Sequence, residues 1–291
     1  MARRTMNLTV AQPTVNGDEP MQSTPIDLDS PYQLHAGATD RFATDGFIRL
    51  PSMLSPATVR HFEPMVTDEV LRLNADLVPL AERDTYSRAF LQVTNLWRHH
   101  DSVRRLVYSR RLAQVAAWLL GVDGVRLYHD QALYKEPGGG ITPWHADQYY
   151  WPFDSDRTIT VWIPMQETPI ELGALEFARG SHGFELGRDL PISDESEREL
   201  QRELLAQGFE VDQAPYALGD ASFHLGWTFH RAGPNTSTVP RRVMTVIYMD
   251  ADIVVSEPTN DNRCADLAAF MPGVEVGSVP DTDLNPVLYR R

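Results

Sequence analysis

Apolar residues recur at helical spacing in two segments of the N-terminal half of the chain. Ser55-Pro56 is typical of a helix start, with Ser as the N-cap and Pro at the first helical position. The apolar residues that follow it are spaced for one helix face: Val59, Phe62, Val66, Val70 and Leu73. A second helical region is predicted over residues 101–120, and Gly121 stands where a C-terminal cap is expected.

From about residue 125 onward the pattern changes to short β-rich runs that are separated by Gly and Pro. Strands are predicted over 47–51, 125–134, 158–163, 174–177, 210–216, 221–225 and 242–249. One Glu-rich helix is predicted over 193–207. Helices followed by many short strands favour a barrel or sandwich, so we expect a mainly β fold with flanking helices.

Charge and cysteine content narrow the classes of function. The 291 residues include 26 Lys and Arg against 40 Asp and Glu, a net charge of −14, which argues against a nucleic-acid partner. The longest apolar run, residues 115–120, is far shorter than the ~20 residues of a membrane helix, so no membrane partner is expected. The single Cys264 allows no internal disulfide, so we expect a cytoplasmic location.

Candidate chemistry begins with His145-Ala-Asp147. In an extended strand, residues two apart face the same side, so this imidazole and this carboxylate are expected to meet at one point. His230 supplies a second imidazole 85 residues later. Two His and one carboxylate form the facial triad of non-haem Fe(II) oxygenases, which leaves metal positions open for a co-substrate and O₂. A His-x-Asp tripeptide alone is weak evidence, because it also occurs by chance at surfaces and turns.

The sequence around these residues resembles the phytanoyl-CoA dioxygenase family. The segments that carry the resemblance, within residues 40–252, are WHADQYYWPF (144–153), TVWIPM (160–165), GALEFARGSH (173–182) and GDASFHLGWTFHRAGPN (219–235), followed by Arg241-Arg242. The family consists of Fe(II)- and 2-oxoglutarate-dependent oxygenases. The resemblance therefore implies a double-stranded β-helix, the jelly roll of cupin-like proteins.

The resemblance also implies roles for single residues. His145, Asp147 and His230 would be the iron ligands. Arg241, eleven residues after the distal His, falls where the family places the arginine that binds the far carboxylate of 2-oxoglutarate. Arg242 is expected on the opposite side of an extended segment. The other expected co-substrate residues are Gln131, Trp162, Thr160 and Lys135, although Lys135 is equally compatible with a surface lysine.

An aromatic rim is expected around the iron, which suits a medium-sized, partly apolar small molecule. Tyr149 shares the face of the metal ligands if the alternation continues. The other expected substrate residues are Trp151, His224 and Trp227. For these aromatic residues, an ordinary core position is the competing interpretation.

The predicted function is oxygenation of a small organic molecule with Fe(II), 2-oxoglutarate and O₂. Hydroxylation is expected first, and related members also carry out epimerisation, cyclisation and desaturation in specialised metabolism. The alternative is a redox-inert cupin-like metal protein: a hydrolase, an isomerase or a small-molecule binder. Arg241 discriminates between the oxygenase and the redox-inert protein, because a redox-inert protein needs no anchor for 2-oxoglutarate.

Three segments are expected along the chain. Residues 1–30 are polar and lack a periodic pattern, which predicts a mobile N-terminal arm. Residues 31–252 would form one jelly-roll oxygenase domain with N-terminal helices. Residues 253–291 are expected to be an irregular extension that packs on the domain or on a partner subunit in a homodimer.

Overall fold

The computed structural model describes residues 26–75, 78–83 and 88–291. Within this part, two antiparallel sheets carry helices on their flanks, as predicted. The strands are β1 (Phe47–Leu50), β2 (Leu91–Thr94), β3 (Gly124–Tyr134), β4 (Thr142–His145), β5 (Thr158–Pro164), β6 (Leu175–Ala178), β7 (Val211–Gln213), β8 (Ala221–Leu225), β9 (His230–Ala232), β10 (Val243–Asp250) and β11 (Val287–Arg290). The helices are α1 (Ala38–Asp45), α2 (Pro56–Leu73), α3 (Asp101–Val107), α4 (Arg110–Leu120), α5 (Asp194–Ala206) and α6 (Asp261–Phe270).

The larger sheet has the strand order β1-β8-β5-β10-β3-β11, and β2 also pairs with β3. The smaller sheet has the order β4-β9-β6-β7. Neighbours in space are distant in sequence, as in a double-stranded β-helix, which confirms the predicted fold class. The main apolar core lies between the larger sheet and the N-terminal helices.

Helix α2 forms as its sequence predicts. The Ser55 side chain accepts a hydrogen bond from the backbone N–H of Thr58, and Pro56 occupies the first turn. The face that carries Val59 and Phe62 is buried. The predicted helical region 101–120 is instead two helices, because the chain turns at Ser109. Its hydroxyl oxygen caps α4 by accepting from the N–H of Leu112.

The sequence patterns did not predict several short elements correctly. Strands β2, β4, β9 and β11 contain three or four residues each, which is too short for a periodic signal. The strand predicted over 210–216 stops at Gln213. Pro215 has no N–H to donate to a ladder, and Tyr216 forms only an isolated bridge to Thr168.

Two terminal segments of the described chain, residues 26–30 and 253–291, are more ordered in contacts and secondary structure than expected. Most of the predicted mobile arm lies outside the described residues, but residues 26–30 are held in place. Asp27 forms an ion pair with Arg111 and accepts hydrogen bonds from Ser55, and Leu28 is buried. The irregular extension predicted over 253–291 instead contains α6 and β11. Strand β11 pairs with β3 in the larger sheet, because apolar Tyr289 is buried there. Among the helices within the described ranges, none combines the length and the apolar composition of a membrane-spanning segment.

Replacement of Gly219 by Ala should destabilise the fold by more than about 3 kcal/mol. Gly219 has φ +101°, and an added Cβ would overlap the carbonyl oxygen of Leu54. Gly121→Ala is the matched control, because this glycine has φ +69° but open space around it. The control should lose only about 1–2 kcal/mol, the cost of the left-handed conformation. Urea unfolding of both variants measures the difference, and equal losses would contradict the predicted clash.

Candidate metal centre

Strands β4 and β9 bring two histidines together. In their antiparallel pairing His145, the last residue of β4, lies opposite His230, the first residue of β9. The two ring centres are 4.1 Å apart. Asp147 follows and begins a 3-10 turn, Asp147–Tyr150. Its Oδ1 atom lies 3.6 Å and 3.7 Å from the Nε2 atoms of His145 and His230.

The three side chains can hold a metal ion, because one ligand atom from each lies within 4.8 Å of the others. The Nδ1 atoms of His145 and His230 lie 2.7 Å and 3.0 Å from the carbonyl oxygens of Pro143 and Thr228. A carbonyl only accepts hydrogen bonds, so each Nδ1 carries the proton and each Nε2 presents a lone pair. Two imidazole nitrogens and one carboxylate oxygen are a donor set that suits non-haem Fe(II).

Two residues of the larger sheet hold the second oxygen of Asp147. The Thr160 hydroxyl lies 3.1 Å from Oδ2, and His224 Nε2 lies 3.2 Å from the same atom, so both donate to it. Thr160 and His224 are partners in the pairing of β5 with β8. Because Oδ2 is engaged, Asp147 offers a single oxygen, Oδ1, to a metal. A metal held by these three donors would keep other coordination positions for a co-substrate and O₂.

The electrostatics favour the ligating protonation states. Burial alone would raise the pKa of Asp147, but His230, His145 and His224 outweigh it and hold that pKa well below its ordinary range. Burial, reinforced by His145, lowers the pKa of His230 well below that of a free imidazole. At neutral pH the carboxylate is therefore ionised and the imidazole is neutral, as metal binding requires.

Arg241 is a buried guanidinium in the cavity that contains the metal donors. The side chain lies beside the Trp162 ring at 5.6 Å, and its Nη1 donates to the carbonyl of Gly173 at 2.7 Å. Its Nε–H has no hydrogen-bond partner within the described residues. Burial lowers the pKa of Arg241 to about 10, which leaves the group charged at neutral pH. An unpaired N–H on a buried cation fits an anionic ligand such as 2-oxoglutarate. Arg242 faces away and pairs with Glu63 at 3.2 Å.

Neither expectation for Lys135 matches its position. The side chain is fully buried, so it is not a surface lysine, and it does not line the cavity. Its Nζ donates to the carbonyls of Gly140 and Gly233 at 2.6 Å and 2.8 Å. Burial, followed by the charge of Arg241, lowers the pKa of Lys135 to about 6. The residue therefore links the start of β4 to the segment after β9.

The other predicted site residues divide into two groups. Those that line the cavity of about 520 Å³ around the metal donors are Gln131, Thr160, Trp162, Trp151 and His224. Tyr149 and Trp227 do not line it. The chain leaves the extended conformation at Asp147, so the alternation that predicted Tyr149 ends there. Trp227 packs instead beneath the guanidinium of Arg188 at 4.5 Å.

The cavity-lining residues that sequence reasoning missed include His129, Asn262, Asp266 and Phe270. His129 lies on β3 two residues before Gln131, so the strand alternation that selected Gln131 could have found it. Asn262, Asp266 and Phe270 lie on α6, in the segment that was expected to be irregular. Their spacing of four residues is the only sequence signal for a shared helix face.

A His-Asp-His donor group beside a buried arginine on a jelly roll is the arrangement of non-haem iron oxygenases that use 2-oxoglutarate. The chain belongs to the phytanoyl-CoA dioxygenase (PhyH) family, whose model matches residues 42–243. The resemblance stated from the motifs is thereby confirmed. The protein is an iron- and 2-oxoglutarate-dependent dioxygenase.

Known relatives agree with this assignment. The chain is 23% identical to a probable alpha-ketoglutarate-dependent hypophosphite dioxygenase of Stutzerimonas stutzeri, over 71% of this chain and 76% of that protein. It is 27% identical to a methylphosphonate hydroxylase of Gimesia maris, over 72% of this chain and 78% of that protein. Among solved structures, the carbocyclase SnoK from nogalamycin biosynthesis shares the fold, with a TM-score of 0.72, 24% identity and coverage of 88% and 98%. The epimerase SnoN with Fe³⁺, alpha ketoglutarate and nogalamycin RO has a TM-score of 0.71, 24% identity and coverage of 86% and 97%.

Replacement of Thr160 by Val should weaken metal binding by about 10–100-fold, because it removes one of the two hydrogen bonds that orient Asp147. Thr245→Val is the matched control. Thr245 also lines the cavity, but its hydroxyl donates to the carbonyl of Gln131. Anaerobic calorimetric titration with Fe(II) checks the prediction, and equal affinities in the two variants would argue against the orienting role of Thr160.

Proposed function

We propose that this dioxygenase hydroxylates a small organic molecule, with Fe(II) held by His145, Asp147 and His230 and 2-oxoglutarate anchored by Arg241. The observation that carries the proposal is the unpaired Nε–H of Arg241, buried in the same cavity as the three metal donors. In the reaction, 2-oxoglutarate, O₂ and a substrate C–H bond give succinate, CO₂ and a hydroxyl group. When bound, Fe(II) supplies the electrons that activate O₂.

The chain's own residues bind, orient and exclude water. Arg241 would pair with the far carboxylate of 2-oxoglutarate, which is also the reason the charge can stay buried. Trp162 forms an apolar wall beside that guanidinium. Thr160 and His224 hold Asp147 Oδ2, so that Oδ1 lies beside the Nε2 atoms of His145 and His230, with which it would hold the iron. Gln131 lies further along the same lining and receives a hydrogen bond from Gln92 at 2.6 Å.

The size and lining of the cavity support the proposal of a medium-sized substrate, in specialised metabolism. Its volume of about 520 Å³ falls in the usual range for small-molecule sites. Aromatic residues such as Trp151 and Phe270 line it together with polar ones. Epimerisation, cyclisation and desaturation use the same iron centre, and SnoK and SnoN are described as a carbocyclase and an epimerase. The homodimer and the cytoplasmic location stay predictions from the sequence.

Replacement of Arg241 by Ala should weaken 2-oxoglutarate binding by about 2–5 kcal/mol, because one carboxylate of the co-substrate then lies unpaired in a buried site. Arg242→Ala is the matched control, since its neighbouring guanidinium pairs with Glu63 instead. The measurement is the visible charge-transfer band that forms when 2-oxoglutarate chelates Fe(II) under anaerobic conditions. If the band of the Arg241 variant rises with 2-oxoglutarate concentration as it does in the wild type, another residue must anchor the co-substrate.

Replacement of either His145 or His230 by Ala should abolish Fe(II) binding and substrate-dependent turnover, because each supplies one of the three donor atoms. His99→Ala is the control, because that side chain is exposed and does not line the cavity. Iron content after anaerobic loading and succinate formation are the two measurements. Retained turnover in either variant would exclude that residue as a ligand. The redox-inert alternative predicts a different result for the wild type, which would then bind the metal but form no succinate.

A further inference from the structure

Helix α6 forms one wall of the cavity and lies outside the region of the family match. Asn262, Asp266 and Phe270 are spaced four residues apart, so they share one helix face, and all three line the cavity. Phe270 stacks on His129 with the ring centres 4.0 Å apart. The wall therefore places an aromatic ring one helical turn from a carboxylate.

The carboxylate of Asp266 is held but not neutralised. Its Oδ2 accepts a hydrogen bond from the hydroxyl of Tyr128 at 2.9 Å, and Tyr128 is fully buried. In the described part of the chain this is the one side-chain hydrogen bond that Asp266 makes, and no ion pair includes it. Its other oxygen is left to accept from a ligand.

The charges that line the cavity leave Asp266 without a counterion. In the loaded site, the three positive charges of Fe(II) and Arg241 would cancel the three negative charges of Asp147 and doubly ionised 2-oxoglutarate. Burial lowers the pKa of His129 to about 4, so this neighbour is neutral. Arg241 is the one Lys or Arg among the described residues of the lining, and we have assigned it to 2-oxoglutarate. A cationic substrate would therefore balance the charge of the loaded site, whereas an anionic substrate would meet the carboxylate of Asp266.

We propose that Asp266 selects an amine-bearing organic substrate, binding its ammonium group while the carbon skeleton packs against Phe270. This inference rests on the proposed function and names the substrate class of the same site. It also separates this chain from relatives named for hypophosphite and methylphosphonate, since those compounds are anionic and would need a cationic side chain. Burial raises the pKa of Asp266 to about 7, against the lowering effect of the hydrogen bond from Tyr128, and the charge of Asp147 adds to the rise. A bound ammonium group would lower that pKa again and keep the carboxylate ionised at neutral pH.

The test compares probes of matched shape in the protein loaded with Ni(II) and 2-oxoglutarate, in which no turnover occurs. The probes are 2-phenylethylamine, 2-phenylethanol and 3-phenylpropanoate, and calorimetry measures their dissociation constants. Wild-type protein should bind the amine at least about tenfold more tightly than the alcohol, and the carboxylate most weakly. In Asp266→Asn the preference for the amine over the alcohol should disappear while alcohol binding is kept.

Asp261→Asn is the matched control, because it removes the same charge from an exposed position on the same helix and should keep the preference. Alcohol binding and 2-oxoglutarate affinity report whether the Asp266 variant retains its cavity. A wild-type protein that binds the amine no better than the alcohol overturns the proposal, as does an Asp266 variant that keeps the preference. Failure of the Ni(II)-loaded protein to bind 2-oxoglutarate would overturn the proposed function as well, and is thereby distinguished from failure of the substrate class alone.

Discussion

Two strand pairings, one in each sheet, determine the geometry of the iron site. The pairing of β4 with β9 sets His145 opposite His230, and the pairing of β5 with β8 sets Thr160 opposite His224. Asp147 lies between the two pairs, with Oδ1 towards the first and Oδ2 towards the second. The two histidine ligands are therefore positioned by a backbone ladder, and Asp147, in the 3-10 turn after β4, is held by side chains of the second ladder, which is how a rigid scaffold preorganises a metal site.

The fold class and the metal donors could be predicted because their signals are local. Helix caps, strand alternation and the motif around His145 each extend over a few residues. The role of His224 is not local, since Asp147 lies 77 residues earlier in the chain. The burial of Lys135 likewise depends on carbonyl oxygens that only the folded chain brings to it, which local hydropathy cannot indicate.

The C-terminal segment shows a second limit of sequence patterns. One face of helix α6 packs against β3 and lines the cavity, but most residues of the helix are exposed or half-exposed. The apolar periodicity of this helix is therefore weak. Strand β11 has four residues and gains its stability from the ladder with β3. Both elements form because the larger sheet already offers them a surface, and that surface is absent from a linear pattern.

The position of α6 has a consequence for how such an enzyme can diverge. The residues proposed to hold the iron and the co-substrate lie within 131–241, whereas the helical wall of the cavity lies within 261–270. Point changes on that helix alter what the cavity accepts without touching a metal ligand. Selection can therefore change the choice of substrate while the oxygen chemistry is inherited intact, because separate stretches of the gene encode the two sets of residues.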